Sequence, residues 1–256
     1  NQGDLPGSLL FLGLVMFSFQ IYADFSGYSQ MAQGFARLLG FELMENFREP
    51  YFSRSVGEFW RRWHRSLSAW LKEYIYLPLG GRGQSRFFHA RNILIVFTFS
   101  GLWHGASWNF VIWGMLNGIY LLPAVLLPQF FSRHGAAVAE GRWLPSFKET
   151  AQILLTFFLI TFSRVFFRSP DLTSAIAYLD RLFSASLFVS PDFDLSCFYW
   201  VGALLALEWM RRDAAPKLEF RRWHLVPRFV AYIGIIAAIA ASFGTQPSRD
   251  YLYFKF

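Results

Sequence analysis

Residues 93–127 read ILIVFTFSGLWHGASWNFVIWGMLNGIYLLPAVLL, an apolar run that carries small and polar residues near its middle. The run is much longer than the ~20 residues that one membrane-spanning helix needs. It is interrupted at Gly101, Gly105 and Ser107, which are residues typical of turns. The pattern therefore predicts a broken helical hairpin over 93–127, with His104 in the turn.

The rest of the chain is also apolar. Of 256 residues, 54% are hydrophobic, 20% are aromatic and only 16% are charged, which is outside the range of ordinary soluble domains. We therefore predict an all-α, polytopic membrane protein with about five to six membrane-spanning or re-entrant helices in a single domain, 1–256. The further runs that support this count are 7–23, 149–167, 197–210 and 229–245.

The net charge of +7 does not indicate nucleic-acid binding, because the basic residues fall between the apolar runs. Short cytoplasmic loops of membrane proteins carry such residues. If 93–127 enters the membrane and returns, the basic loops 82–91, 128–149 and 211–228 share one side, which should be the cytoplasm. The segment 168–196 and the tail YLYFKF then lie on the opposite side.

Residues 57–77, GEFWRRWHRSLSAWLKEYIYL, predict one amphipathic helix in the headgroup plane of the bilayer. Aromatic and leucine side chains fall on one face and charged side chains on the other, and the arginines could bind lipid headgroups or the phosphates of a cytoplasmic donor. His64 projects from the apolar face. It is either a half-buried interfacial residue or a residue that faces a polar cavity.

His104 is an ionisable residue at membrane depth, which by default suggests a functional site. Apolar neighbours such as Trp103 and Trp108 should keep its imidazole neutral, a state that suits a general base. The alternative is a structural role, in which the ring hydrogen-bonds a backbone carbonyl freed in the broken helix. Asn109 could share either role, and Gly101 and Gly105 suit close approach of a substrate as well as tight helix packing.

Two further features of the sequence do not point to a specific chemical function. Asp24, with Ser26 and Tyr28, reads either as the N-cap of a helix that continues to about Leu39 or as a polar lining of the same cavity. Cys197 is the single cysteine, and no His-x-x-x-His spacing exists, so a metal site is not expected.

Four stretches of the sequence carry a resemblance to a known family. FQIYADFSGYSQMAQG, FWRRWHRSLSAWLKEYIYLPLGG, SGLWHGASWNFVIWGMLNG and the terminal YLYFKF cover most of residues 18–120 and the extreme C-terminus. They resemble the membrane-bound O-acyltransferase (MBOAT) family, and within it the membrane subunit of the alginate O-acetylase type. Proteins of this family normally carry further N-terminal spans, so we take the chain as the C-terminal part of such a protein.

The resemblance implies a multi-pass protein of the bacterial inner membrane, embedded in membrane lipid, that moves an acetyl group from a cytoplasmic donor toward exported polysaccharide. The donor is acetyl-CoA, an acyl-CoA substrate, and no bound cofactor is expected. A periplasmic hydrolase-fold acetyltransferase and the polysaccharide export machinery are the implied partners, and nucleic acid is not one.

The resemblance also assigns residues. His104 matches the essential histidine of the family, which we expect to act as general base, and His64 matches its second histidine. We add Trp103, Asn109, Asp24 and Tyr28 as candidate substrate-binding residues. The alternatives are a transporter or channel subunit whose broken helix lines a pathway, and a silent scaffold. Many transporters carry a second interrupted segment in an inverted repeat, and none is evident here.

Overall fold

A computed structural model describes residues 5–83, 85–130, 137–191, 193, 197–212 and 224–243. The regular structure of these residues is helical throughout, so the all-α prediction is confirmed. Nine α-helices lie in the described ranges: α1 (Gly7–Leu38), α2 (Val56–Arg62), α3 (Arg65–Leu71), α4 (Arg86–His104), α5 (Trp108–Leu126), α6 (Phe147–Arg168), α7 (Leu172–Leu182), α8 (Cys197–Arg211) and α9 (Leu225–Phe243). The tail YLYFKF, which we predicted to lie on the side opposite the basic loops, falls outside the described residues.

Three of these helices, α1, α5 and α6, are long and apolar enough to cross a membrane. Together with the composition of the chain they make it a polytopic membrane protein, as predicted. Local signals explain several helix ends. Ser146 and Glu149 form a reciprocal capping box at the start of α6, and Gly40 takes the left-handed conformation (φ 85°) just after α1.

Helices α4 and α5 pack side by side as an antiparallel hairpin. Their contact depends on glycines, because a Cβ at Gly101 would lie 2.1 Å from the Phe110 carbonyl oxygen, and one at Gly114 would lie 2.2 Å from that of Phe97. Any larger residue would push the two helices apart. The turn between them begins at Gly105, and Ser107 caps α5 by accepting a hydrogen bond from the Asn109 N–H at 3.4 Å.

Hydrogen bonds between helix ends show how the bundle is arranged. Arg86, at the start of α4, donates to the Leu126 carbonyl at the end of α5 (3.1 Å), so both ends lie together. At the opposite end of the bundle, Asn109 donates to the Ser169 carbonyl just beyond α6 (2.7 Å), and the Gly7 N–H donates to Ser186 Oγ (2.8 Å). The described parts of the basic loops around α4, α5 and α6 therefore lie at one end, and the segment 169–188 lies at the other.

The chain between α1 and α4 differs from the sequence prediction. Residues 57–77 do not form one helix: α2 ends at Arg62, Trp63 is extended, His64 is left-handed (φ 43°), and α3 is followed by a π-helical turn over Lys72–Tyr76. Tertiary contacts hold the break. The Arg48 N–H donates to the Arg62 carbonyl (3.0 Å), the Arg65 N–H donates to the Asn46 carbonyl (3.1 Å), and the Trp63 ring packs on Phe47.

The N-cap reading of Asp24 is wrong. Helix α1 runs without interruption from Gly7 to Leu38, so Asp24 lies in its interior rather than at its start. Tyr22 and Phe25, on either side of this position, are buried in the core, and their packing stabilises a helix that continues through the polar stretch. Local capping preference is a weak signal, and packing overrides it here.

Candidate active site

The His104 side chain lines a cavity of about 20 Å³ inside the helical bundle. This volume is sufficient for a single water-sized group. Helices α1, α2, α5 and α6 and the end of α4 all contribute to its wall. The lining residues are Ile21, Phe59, Trp60, Trp63, His104, Trp113, Asn117, Ile160, Ser163, Arg164 and Phe167.

The imidazole of His104 is held by aromatic rings. Its centroid lies 5.0 Å from that of Phe167, 5.1 Å from that of Trp113 and 4.9 Å from that of Trp103. Because Gly101 and Gly114 bring α4 and α5 close together, the last residue of α4 reaches rings on both α5 and α6. The hairpin therefore places the histidine against the cavity.

His64 lies close to His104 but does not line the same cavity. The Trp103 ring contacts both imidazoles, since its centroid is 5.9 Å from that of His64. His64 also packs edge-on against Phe25, at 4.6 Å. Burial lowers the pKa of His64 to about 4, so its ring is neutral at pH 7.

Arg164 is a site residue that the sequence analysis missed. It is 4% exposed and lies in α6, where its guanidinium donates to Tyr51 Oη at 2.7 Å. Its charge lies over the rings of Trp63 (5.0 Å) and Tyr51 (5.4 Å). The available signal was a charge within the apolar run 149–167, three residues from its end.

Two buried polar atoms at the cavity lack a hydrogen-bond partner among the described residues. They are the indole N–H of Trp60 and Oδ1 of Asn117. The amide nitrogen of Asn117, by contrast, donates to the Trp113 carbonyl (2.8 Å) and to Ser163 Oγ (3.2 Å). Buried polar groups are usually satisfied, so unpaired ones beside a cavity indicate a place for a polar ligand atom.

A second, larger cleft of about 220 Å³ lies toward the end of the bundle where α1 finishes. Its lining is largely polar and includes Ser26, Gln33, Arg37, Glu208 and Arg211. The two spaces meet at aromatic side chains. Tyr22 lines the cleft, Trp63 lines the cavity, and their ring centroids are 5.8 Å apart.

The structure places the other candidate residues away from the cavity wall. Trp103 is 52% exposed and reaches the site only through its contacts with the two histidines. Asn109 is buried and ties the start of α5 to the end of α6. Asp24 is half-buried and Tyr28 is 47% exposed, and neither lines the cavity or the cleft, although their neighbour Ser26 does line the cleft.

Comparison with known proteins finds a family match and several relatives. The model of the membrane-bound O-acyltransferase family matches residues 5–138, which include both histidines. The chain is 51% identical over 110 residues to "Probable alginate O-acetylase AlgI" of Azotobacter vinelandii, covering 43% of this chain and 22% of that protein. It is 40% identical over 173 residues to the protein of the same name from Pseudomonas aeruginosa (68% of this chain, 31% of that one).

A third relative carries a different name. The chain is 42% identical over 164 residues to "Peptidoglycan O-acetyltransferase" of Helicobacter pylori, covering 64% of this chain and 29% of that protein. The chain thus spans between about a fifth and a third of the length of these curated relatives.

Proposed function

Because this chain belongs to the membrane-bound O-acyltransferase family, we propose that it forms the catalytic part of a membrane O-acetyltransferase that passes acetyl groups toward exported polysaccharide. Relatives named for acetylation of alginate and of peptidoglycan support a polysaccharide as the final acceptor. Membership of this family favours an acyl-transfer enzyme over the transporter alternative.

The observation that carries the proposal is the position of His104. Its imidazole lines a cavity inside the bundle and is held among aromatic rings. There His104 acts as general base: it takes the proton of an attacking hydroxyl as that oxygen adds to the carbonyl carbon of the acyl donor. His64, joined to it through Trp103, is the proposed second histidine of the site.

The polar cleft provides a route for the donor. Its position beside Arg37 and Arg211, at the basic end of the bundle, fits a charged donor such as acetyl-CoA arriving from the cytoplasm. The thioester then reaches His104 by displacing the aromatic side chains between the two spaces, of which Tyr22 and Trp63 are the nearest. His104 itself lies toward the opposite end, from which a hydroxyl acceptor approaches.

The chain lies in the bacterial inner membrane as a multi-pass protein. A periplasmic hydrolase-fold acetyltransferase and the export machinery complete transfer to the polymer. Of the candidate ligand contacts, Trp103 lies beside both histidines, and Asn109, Asp24 and Tyr28 remain candidates with no contact to the cavity.

The experiment is His104→Ala in the full-length protein, with polymer acetylation and membrane abundance measured together. We expect acetylation to be lost at unchanged abundance, since the base is removed and the fold is not. His89→Ala is the matched control, because His89 lies at the opposite end of the same helix, beside Tyr76. Normal acetylation in His104→Ala would rule out the proposed base.

A further inference from the structure

Arg164 is a buried charge within a helix that is long and apolar enough to cross a membrane. A charged group at membrane depth is costly, and such groups usually face a cavity and mark a functional pathway. Arg164 does line a cavity, and it is the same one that His104 lines. The proposed function above does not use it.

The contacts of Arg164 include no carboxylate partner within the described residues. None of their carboxylates lies within 4.0 Å of its guanidinium, and Tyr51 Oη is its one hydrogen-bond acceptor among them. A guanidinium has five N–H donors, so most remain available. Arg54 differs from Arg164 in this respect: it is equally buried but contacts two carboxylates, Glu58 at 3.0 Å and Glu149 at 3.5 Å.

A second donor at the cavity is also available. The indole N–H of Trp60 is buried without an acceptor among the described residues, and Trp60 lines the cavity together with Arg164 and His104. Two donors, one of them charged, and the proposed general base His104 thus surround a space that fits a single oxygen atom. Such an arrangement favours an oxygen that carries negative charge.

We propose that Arg164, assisted by the Trp60 N–H, binds the oxyanion that forms when the acceptor hydroxyl adds to the acyl donor. The inference rests on the proposed function. As the new C–O bond forms, the hydroxyl proton passes to His104 and the carbonyl π electrons move to the carbonyl oxygen, which becomes negative beside Arg164. When the intermediate collapses, the C=O bond re-forms, the C–S bond breaks, and the thiolate takes the proton from His104.

The proposal predicts a change in turnover rather than in donor binding. Loss of one donor to an oxyanion typically lowers kcat by about 10²–10³-fold. We therefore expect Arg164→Gln to lower kcat about 100-fold and leave KM for acetyl-CoA within about threefold. Arg164→Lys keeps the charge but loses the planar fork, so a loss of about tenfold is expected.

The test uses two coenzyme A analogues with full-length protein in nanodiscs. Trifluoroacetonyl-CoA adds water at its activated carbonyl, and the resulting gem-diol becomes a tetrahedral oxyanion when it loses a proton to His104, whereas acetonyl-CoA keeps a planar carbonyl. We expect Arg164→Gln to weaken binding of the first about 100-fold and binding of the second less than threefold, because only the first carries the charge that Arg164 meets. Trp60→Phe should weaken the first about tenfold, since it removes one neutral donor.

Arg168→Gln is the matched control, because Arg168 lies one turn further along α6, over the Phe17 ring and outside the cavity. If Arg164→Gln does not accumulate in the membrane, Arg164→Lys and Trp60→Phe carry the same comparison. If these variants bound trifluoroacetonyl-CoA as tightly as the wild type does, the role of Arg164 would be overturned. Retained acetylation in His104→Ala would instead overturn the proposed function, so the two failures are distinguishable.

Discussion

His64 shows what a single residue contributes to the site. Its backbone is left-handed (φ 43°, ψ 55°), a conformation that costs most non-glycine residues about 1–2 kcal/mol. This conformation ends α2 and starts α3, and it brings the imidazole against Phe25 and Trp103. Packing of the imidazole against Phe25 and Trp103 therefore maintains an unfavourable backbone geometry.

The depressed pKa of His64 predicts acid sensitivity. Between about pH 4 and pH 6.5 the unfolded chain binds a proton at His64 that the folded chain does not, so stability rises with pH in this window and falls on acidification. His64→Asn removes this titration, and asparagine tolerates the left-handed conformation. We expect the drop in thermal midpoint between pH 7 and pH 5 in detergent to be smaller in the variant. An unchanged drop would show that His64 titrates normally.

At the scale of elements, the α4–α5 hairpin depends on close contact between backbones. Gly114 faces the Phe97 carbonyl and Gly118 faces Leu94 and the Cβ of Phe97, so the two helices touch along much of their length. Small residues at helix contacts are the usual device for such packing in membranes, where apolar side chains gain little by leaving lipid. Gly101 near His104 likewise faces the Phe110 carbonyl, so it serves helix packing, one of the two roles that the sequence left open.

Two glycine substitutions test this packing. Gly114→Ala would place a methyl group 2.2 Å from a backbone oxygen, so we expect a loss of about 3 kcal/mol in stability from overpacking. Gly27→Ala, in α1, meets no atom within 4 Å and should stabilise the protein by about 0.5–1 kcal/mol through helix propensity. Thermal unfolding in detergent measures both. Equal effects at the two positions would contradict the tight hairpin.

At the scale of the whole molecule, a buried ion network joins distant parts of the chain. Glu58 on α2 accepts hydrogen bonds from Arg54 (3.0 Å) and Arg62 (2.7 Å), and Arg54 also reaches Glu149 at the start of α6. Burial alone would raise the pKa of Glu58, but the hydrogen bonds from Arg54 and the charge of Arg62 hold it below its usual value. The network thus fixes α2, with its cavity residues, against α6.

Removal of the central carboxylate should be costly. Glu58→Gln leaves the buried Arg54 and the half-buried Arg62 with less compensating charge, so we expect a loss of about 3–5 kcal/mol. Glu42→Gln is the control, since its pairing with Arg37 is exposed and worth less than about 1 kcal/mol. Thermal midpoints and membrane abundance of the two variants check the prediction. A Glu58→Gln protein as stable as the control would show that the network contributes little.

The sequence was sufficient to predict the class of the protein and the break in the hairpin. Composition and long apolar runs are local properties, and they require helices because backbone polar groups in lipid must be satisfied within the chain. Glycines and Ser107 at the middle of one run locate the turn that holds His104, and the helices end and begin there as predicted.

Which residues line the cavity depended on contacts between residues far apart in the chain. Periodicity over 57–77 identified an apolar face, but the helix breaks at His64, because Trp63 and its neighbours gain more by packing on residues 46–51 than by continuing the helix. Arg164 and His104 are 60 residues apart in the sequence, and they line the same cavity only because α6 packs on the hairpin. Hydropathy records how much apolar surface a segment must bury, whereas the folded chain alone determines which partner covers it.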